Sequence, residues 1–210
     1  MMNKMHIYAF GSVCRGEIDR GSDVDLLACC ASTTNEIDKD KYSIYQYERL
    51  RELWFEGNPF AWHLFLESKL LFTPDGSDFI KNLGSPAKYK TIEADSNKFR
   101  LLFERSYNAL LNSSNSQTFH LSCIYLAIRN YATCYSLAAE KPIFSRYSAL
   151  KVLPSLHLES GVFNILVRAR LLSTRGFGDN IKKNEIELVI NSISQVPAWM
   201  DSLRRSIINE

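Results

Sequence analysis

The hydrophobic pattern changes period once, after Gly84-Ser85-Pro86, and that change limits what the chain can fold into. Before it, short apolar runs are punctuated by turn chemistry. Met5 to Phe10 reads as a buried strand stopping at Gly11-Ser12, with a short helical turn expected over Ser12–Gly16 and a polar loop, EIDRGS, behind it. Asp23 to Cys30 (DVDLLACC) reads as a second strand with acidic residues at its start. Lys41 to Trp54 is of mixed character, its latter half a helix closed near Gly57 and Pro59. Phe60 to Phe72 is expected to contain a further strand, with Trp62, Leu64 and Leu66 on one face and His63, Phe65 and Glu67 on the other, before a Thr73-Pro74-Asp75-Gly76 turn.

After the change, apolar residues recur at helical spacing. Phe99, Leu102, Phe103, Leu110 and Leu111 mark one helix. A long helix is expected over Ser116–Ala139, with Phe119, Cys123, Leu126, Asn130 and Cys134 along one face, ended by Lys141-Pro142. Further helices are expected around Ser148–Leu156, Phe163–Leu172 and, as a pair near Pro197, Glu185–Ile207. Strands followed by helices give an α+β class: a small mixed-sheet domain over 1–90, then a helical bundle over 91–210.

Composition narrows the functional classes. With 46% hydrophobic and 23% charged residues the chain can build a core, which excludes disordered and collagen-like classes. No apolar run approaches the roughly 18 residues of a membrane span. Five cysteines without a CxxC pair favour reduced thiols over zinc or disulfides. The opening MMNKMHIYAFGS enters a strand with no hydrophobic leader, so a cytoplasmic protein is expected. The net charge of +2 is unevenly spread: −4 over residues 1–97, +8 over 98–183 and −2 over 184–210. Carboxylates for a metal beside basic groups for a polyphosphate would produce such a division.

The chemistry-bearing segment is Phe10 to Cys29, FGSVCRGEIDRGSDVDLLAC. Gly11 lets the backbone turn closely against a triphosphate, and Ser12 offers a hydroxyl and an amide to phosphate oxygen. Asp23 and Asp25, two apart on a strand, share a face with backbones about 6.6 Å apart, which suits two divalent ions about 3.5–4 Å apart. Arg15 lies in the intervening loop, where it contacts phosphate or stabilises the loop.

The GS-x10-DVDLL arrangement resembles the signature of the polymerase-β-like nucleotidyltransferase superfamily, particularly its minimal and kanamycin-nucleotidyltransferase-like members. It is carried by Gly11, Ser12, Asp23 and Asp25, with Arg15-Gly16 and Ser22 matching the family's "RG…SD" wording. The resemblance implies a nucleotidyltransferase domain that binds an NTP or dNTP through Gly11, Ser12, Arg15 and Ser22. Mg²⁺ or Mn²⁺ would sit on Asp23 and Asp25. A nucleoside monophosphate would pass to an acceptor hydroxyl with release of pyrophosphate. The acceptor is left open: an oligonucleotide or nucleic-acid end as in antiviral defence, a partner protein's side chain, or a small molecule. A homo-oligomer is compatible. The family's third carboxylate is replaced here by His63, as metal ligand or general base, or by Glu67. That departure leaves a rival, a catalytically silent nucleotide-binding module that regulates a partner protein. The second half resembles the HEPN-type helical bundles that accompany such domains, but Arg129 is followed by NYATCYSLAAE, without the histidine of HEPN ribonucleases. Lys141 and Arg146 are expected to grip a triphosphate or nucleobase, with Tyr147 stacking. Arg168, Arg170 and Arg175 are candidates for a nucleic-acid groove.

Overall fold

Strand β1 (Met5–Phe10) sits inside a four-stranded mixed sheet in the order β3-β2-β1-β4. The structure, a computed structural model, describes residues 5–18, 24–32 and 37–208. The chain divides into two compact units, 1–90 and 91–210.

In the first unit, β2 (Asp25–Cys30) and β4 (Lys69–Phe72) pair antiparallel with β1, and β3 (Tyr42–Gln46) runs parallel to β2. Directly opposed residues share a sheet face, so the register sets Tyr8 beside Leu27, His6 beside Cys29 and Phe10 beside Asp25 on one side. Helices α1 (Tyr47–Glu56), α2 (Pro59–Glu67) and α3 (Phe79–Leu83) supply Leu50, Leu53, Trp54, Ala61, Leu64 and Ile80 to a core with Tyr8, Phe10, Leu27 and Cys29. Leu50 and Leu64 are fully buried, each stabilising the fold by about 1.5–3 kcal/mol. Gly57 closes α1 in the left-handed region at φ 67°. A Cβ there would lie 2.4 Å from the Lys88 carbonyl, so only glycine fits.

The segment expected as a strand over Phe60–Phe72 is mostly helix. Asn58 caps α2, its Oδ1 accepting the Phe60 N–H at 2.9 Å, and Pro59 occupies the first turn, where its missing N–H costs nothing. Only Lys69–Phe72 is extended.

The second unit is helical: α4 (Ile92–Asn112), α5 (Gln117–Ala138), α6 (Ser148–Lys151), α7 (Ser160–Arg175), α8 (Lys183–Ser192), a 3₁₀ turn over Ile193–Gln195, and α9 (Val196–Ile208). Helix α5 is the hub. It buries Leu121, Ile124, Tyr125, Ala127, Ile128, Tyr131 and Ala132 against residues that include Phe103, Phe163, Leu166, Val189 and Met200. The face expected for α5 is displaced: Phe119 is exposed and Cys123 and Leu126 are half-buried, because a helix buried on most sides has no single apolar stripe. The helix expected through Leu156 stops at Lys151, since Pro154 bars continuation. No described helix is long and apolar enough to cross a membrane.

Candidate functional site

Phe10 ends β1, and the backbone folds at once into a turn. Cys14 N–H donates to the Gly11 carbonyl (3.1 Å), Arg15 N–H to Ser12 (3.2 Å), Gly16 N–H to Val13 (3.1 Å) and Glu17 N–H to Ser12 (2.9 Å). All four donors lie at residues 14–17, so the Ser12 and Val13 amides take no part in the turn's own bonds. A phosphate-binding turn requires that disposition. Gly11 stands at φ +80°, and a Cβ built on it would lie 2.2 Å from Asp25 Oδ2. Glycine is therefore required twice over, for its backbone angle and for the approach of the carboxylate. Asp25 is exposed at the start of β2. Ser22 and Asp23 lie outside the described residues, and β2 begins at Asp25 rather than Asp23.

His63 and Glu67 were expected on one strand face; they share a helix face instead, four residues apart on α2. His63 Nε2 lies 2.8 Å from Glu67 Oε2. Glu67 Oε2 accepts from Arg15 Nη1, which lies 3.5 Å from His63 Nε2. Arg15 Nε donates to Glu17 Oε2 at 3.2 Å. All four side chains are at least four-fifths buried. The Phe10 ring meets the His63 ring edge-on at 5.6 Å. Glu17 escaped the sequence reading, although the spacing Arg15-x-Glu17 was a visible signal for a paired loop.

Cys14, inside the turn, has its thiol pushed above the usual range by burial, with Lys69, Glu67, Arg15 and Asp25 acting on it electrostatically. It therefore stays protonated near neutral pH. Neither β3 (YSIYQ) nor β4 (KLLF) carries a carboxylate. Among the described residues no three His, Cys, Asp or Glu side chains form a metal-binding group. Asp25 is a hard oxygen donor held against a glycine that leaves room for it, which suits a divalent cation such as Mg²⁺ as one ligand of a larger set.

In the second unit, Lys141 is exposed beyond the end of α5, and Arg146 is half-buried with its carbonyl accepting the Tyr125 hydroxyl at 3.1 Å. Tyr147, expected to stack on a ligand, packs its ring 5.8 Å from Phe163 against the helical core. Arg129 donates to the Phe144 carbonyl at 2.9 Å, tying α5 to the following loop. Arg168 is paired with Glu185 at 2.6 Å, and Arg170 reaches Ser122 at 3.5 Å.

Residues 3–106 match the model of the nucleotidyltransferase domain family. Among solved structures, the chain is similar to a spectinomycin adenyltransferase from Enterococcus faecialis, crystallised with ATP and spectinomycin. Identity is 15% and the TM-score 0.43, over 96% of this chain and 91% of that one. Comparison with curated proteins gives no match.

Proposed function

We propose, from the match of residues 3–106 to the nucleotidyltransferase domain family, that the protein transfers a nucleoside monophosphate from an NTP or dNTP to an acceptor hydroxyl, releasing pyrophosphate. The observation that carries this reading is the Asp25 carboxylate seated against the Gly11 turn, where a Cβ would lie 2.2 Å from Oδ2. The Ser12 and Val13 amides and the Ser12 hydroxyl hold the β- and γ-phosphates. Asp25, with Asp23, holds the divalent cation, Mg²⁺ or Mn²⁺, which when bound neutralises charge on the triphosphate. The acceptor oxygen bonds to the α-phosphorus in line as the bond to the β-phosphate oxygen breaks. Catalysis is then mostly positioning and electrostatics. His63, with Nε2 2.8 Å from Glu67 Oε2, takes the proton from the acceptor hydroxyl.

The +8 charge over residues 98–183 supports a polyanionic acceptor, a nucleic-acid or oligonucleotide end, over a cationic small molecule or a protein side chain. Lys141 and Arg146 are proposed to contribute to phosphate binding. A second reading, a silent nucleotide-binding module, is favoured by one observation: β3 and β4 lack the family's third carboxylate.

Incubation with labelled NTPs and dNTPs, Mg²⁺ or Mn²⁺, and each acceptor class separates the two. Pyrophosphate release matched by labelled acceptor supports the enzyme. Nucleotide binding without pyrophosphate from any acceptor supports the silent module. Mass spectrometry of the product identifies donor and acceptor together.

A further inference from the structure

We propose that Glu67 is a positioning residue that sets the nucleotide-binding turn through Arg15 before any nucleotide arrives. The inference rests on the nucleotidyltransferase reading and goes beyond it by assigning Glu67 and Arg15 the setting of the turn.

Glu67 has a fixed place. It is the last residue of α2, and two residues later Lys69 pairs with Ala9 of β1, so the carboxylate is held beside the end of β1 by a helix on one side and a ladder on the other. From there a single oxygen, Oε2, accepts from Arg15 Nη1 and lies 2.8 Å from His63 Nε2. The Arg15 N–H, like that of Glu17, donates to the Ser12 carbonyl, and the Arg15 Nε donates to the Glu17 carboxylate. The guanidinium thus links both arms of the turn to the body of the first unit.

Side-chain exposures of 17% for Arg15, 11% for Glu67 and 16% for His63 place this cluster largely out of water. Charges removed from water must be well paired to persist, and removing one partner leaves the other uncompensated, so the pair holds its two ends together. The conformation selected here leaves the Ser12 and Val13 amides out of the turn's own hydrogen bonds. Arg15 accordingly acts on phosphate through the shape of the backbone.

The test uses the full chain and three variants: Arg15→Ala, the isosteric Glu67→Gln, and the double variant. Affinity is read with the non-transferable probe α,β-methylene-ATP and Mg²⁺, and turnover is read separately. Hydrogen exchange of the turn amides is read without nucleotide, after thermal melts have shown the variants folded. Each single variant is expected to weaken probe binding roughly tenfold. The double variant should weaken it no further than the worse single, because the two residues act as one unit. In the single variants the loss should fall on the KM for nucleotide more than on turnover at saturation, and the amides of Cys14–Glu17 should exchange faster in all three.

Three results overturn the proposal: unchanged affinity and exchange in Glu67→Gln, additive losses in the double variant, or a turnover loss in Arg15→Ala with affinity intact. Should the parent bind no nucleotide at all, the nucleotidyltransferase reading fails, and the exchange data alone decide whether Glu67 sets the turn.

Discussion

At Gly11 two demands meet on one atom, a backbone angle of φ +80° and an aspartate oxygen where a Cβ would stand. Gly11→Ala must therefore move Asp25 or the turn. Left-handed backbone alone costs a non-glycine residue about 1–2 kcal/mol, so the variant should melt lower and lose transfer activity about 100-fold, read by thermal unfolding and initial rates. Parent-like rates would remove Asp25 from the site. Asp75 offers a pH test elsewhere in the first unit. Hydrogen bonds from the Ser77 hydroxyl and amide hold its carboxyl down at about 2, well below the usual carboxylate range. A depressed folded-state value stabilises above the unfolded-state value, and that contribution is lost as pH falls through the folded one. The stability difference between the parent and Asp75→Asn should be constant near neutrality and shrink as pH falls from about 4 towards 2, measured by urea unfolding at each pH. A difference that grows on acidification would contradict the assignment.

Among the elements, α2 carries the most consequence, because it presents both His63 and Glu67. Its start depends on Asn58, and Asn58→Ala should cost about 1 kcal/mol of stability while weakening nucleotide binding, both measurable on one preparation by denaturant titration and probe affinity. Glu185 has a comparable place in the second unit. It accepts the Lys182 N–H at 2.8 Å at the start of α8 and pairs with Arg168 of α7, which together hold its carboxyl below the usual range. Glu185→Ala should lower stability by about 1–2 kcal/mol without changing turnover, read by urea unfolding and rate assays.

The sequence told these elements apart unevenly, for physical reasons. Strand β1, the bend at Gly11 and the closure of α1 at Gly57 were legible because an apolar run meeting glycine has few conformations open to it. Helix α2 was misread because Trp62, Leu64 and Leu66 alternate like a strand, while Phe60, His63, Leu64 and Glu67 fit a helix equally well in so short a run. The decisive signal was Asn58-Pro59, a cap followed by a first-turn proline. The meeting of Arg15 with Glu67, 52 residues apart, has no local signature, since tertiary packing creates it.

Across the whole molecule, the nucleotidyltransferase domain match spans residues 3–106, while the positive charge belongs to residues 98–183. If that charge serves a polyanionic acceptor, apparent acceptor affinity should fall steeply with added salt, linearly on a log–log plot, while saturating nucleotide keeps the turnover number steady. A salt-independent acceptor affinity would favour a neutral small molecule or a protein.

The most direct test follows α-labelled ATP and pyrophosphate together, with Mg²⁺ and an oligonucleotide acceptor, in the parent and in Asp25→Asn. The account predicts label on the acceptor in step with pyrophosphate from the parent, and a loss of about 100-fold or more in the variant with its fold intact. Equal transfer by the two proteins would contradict it.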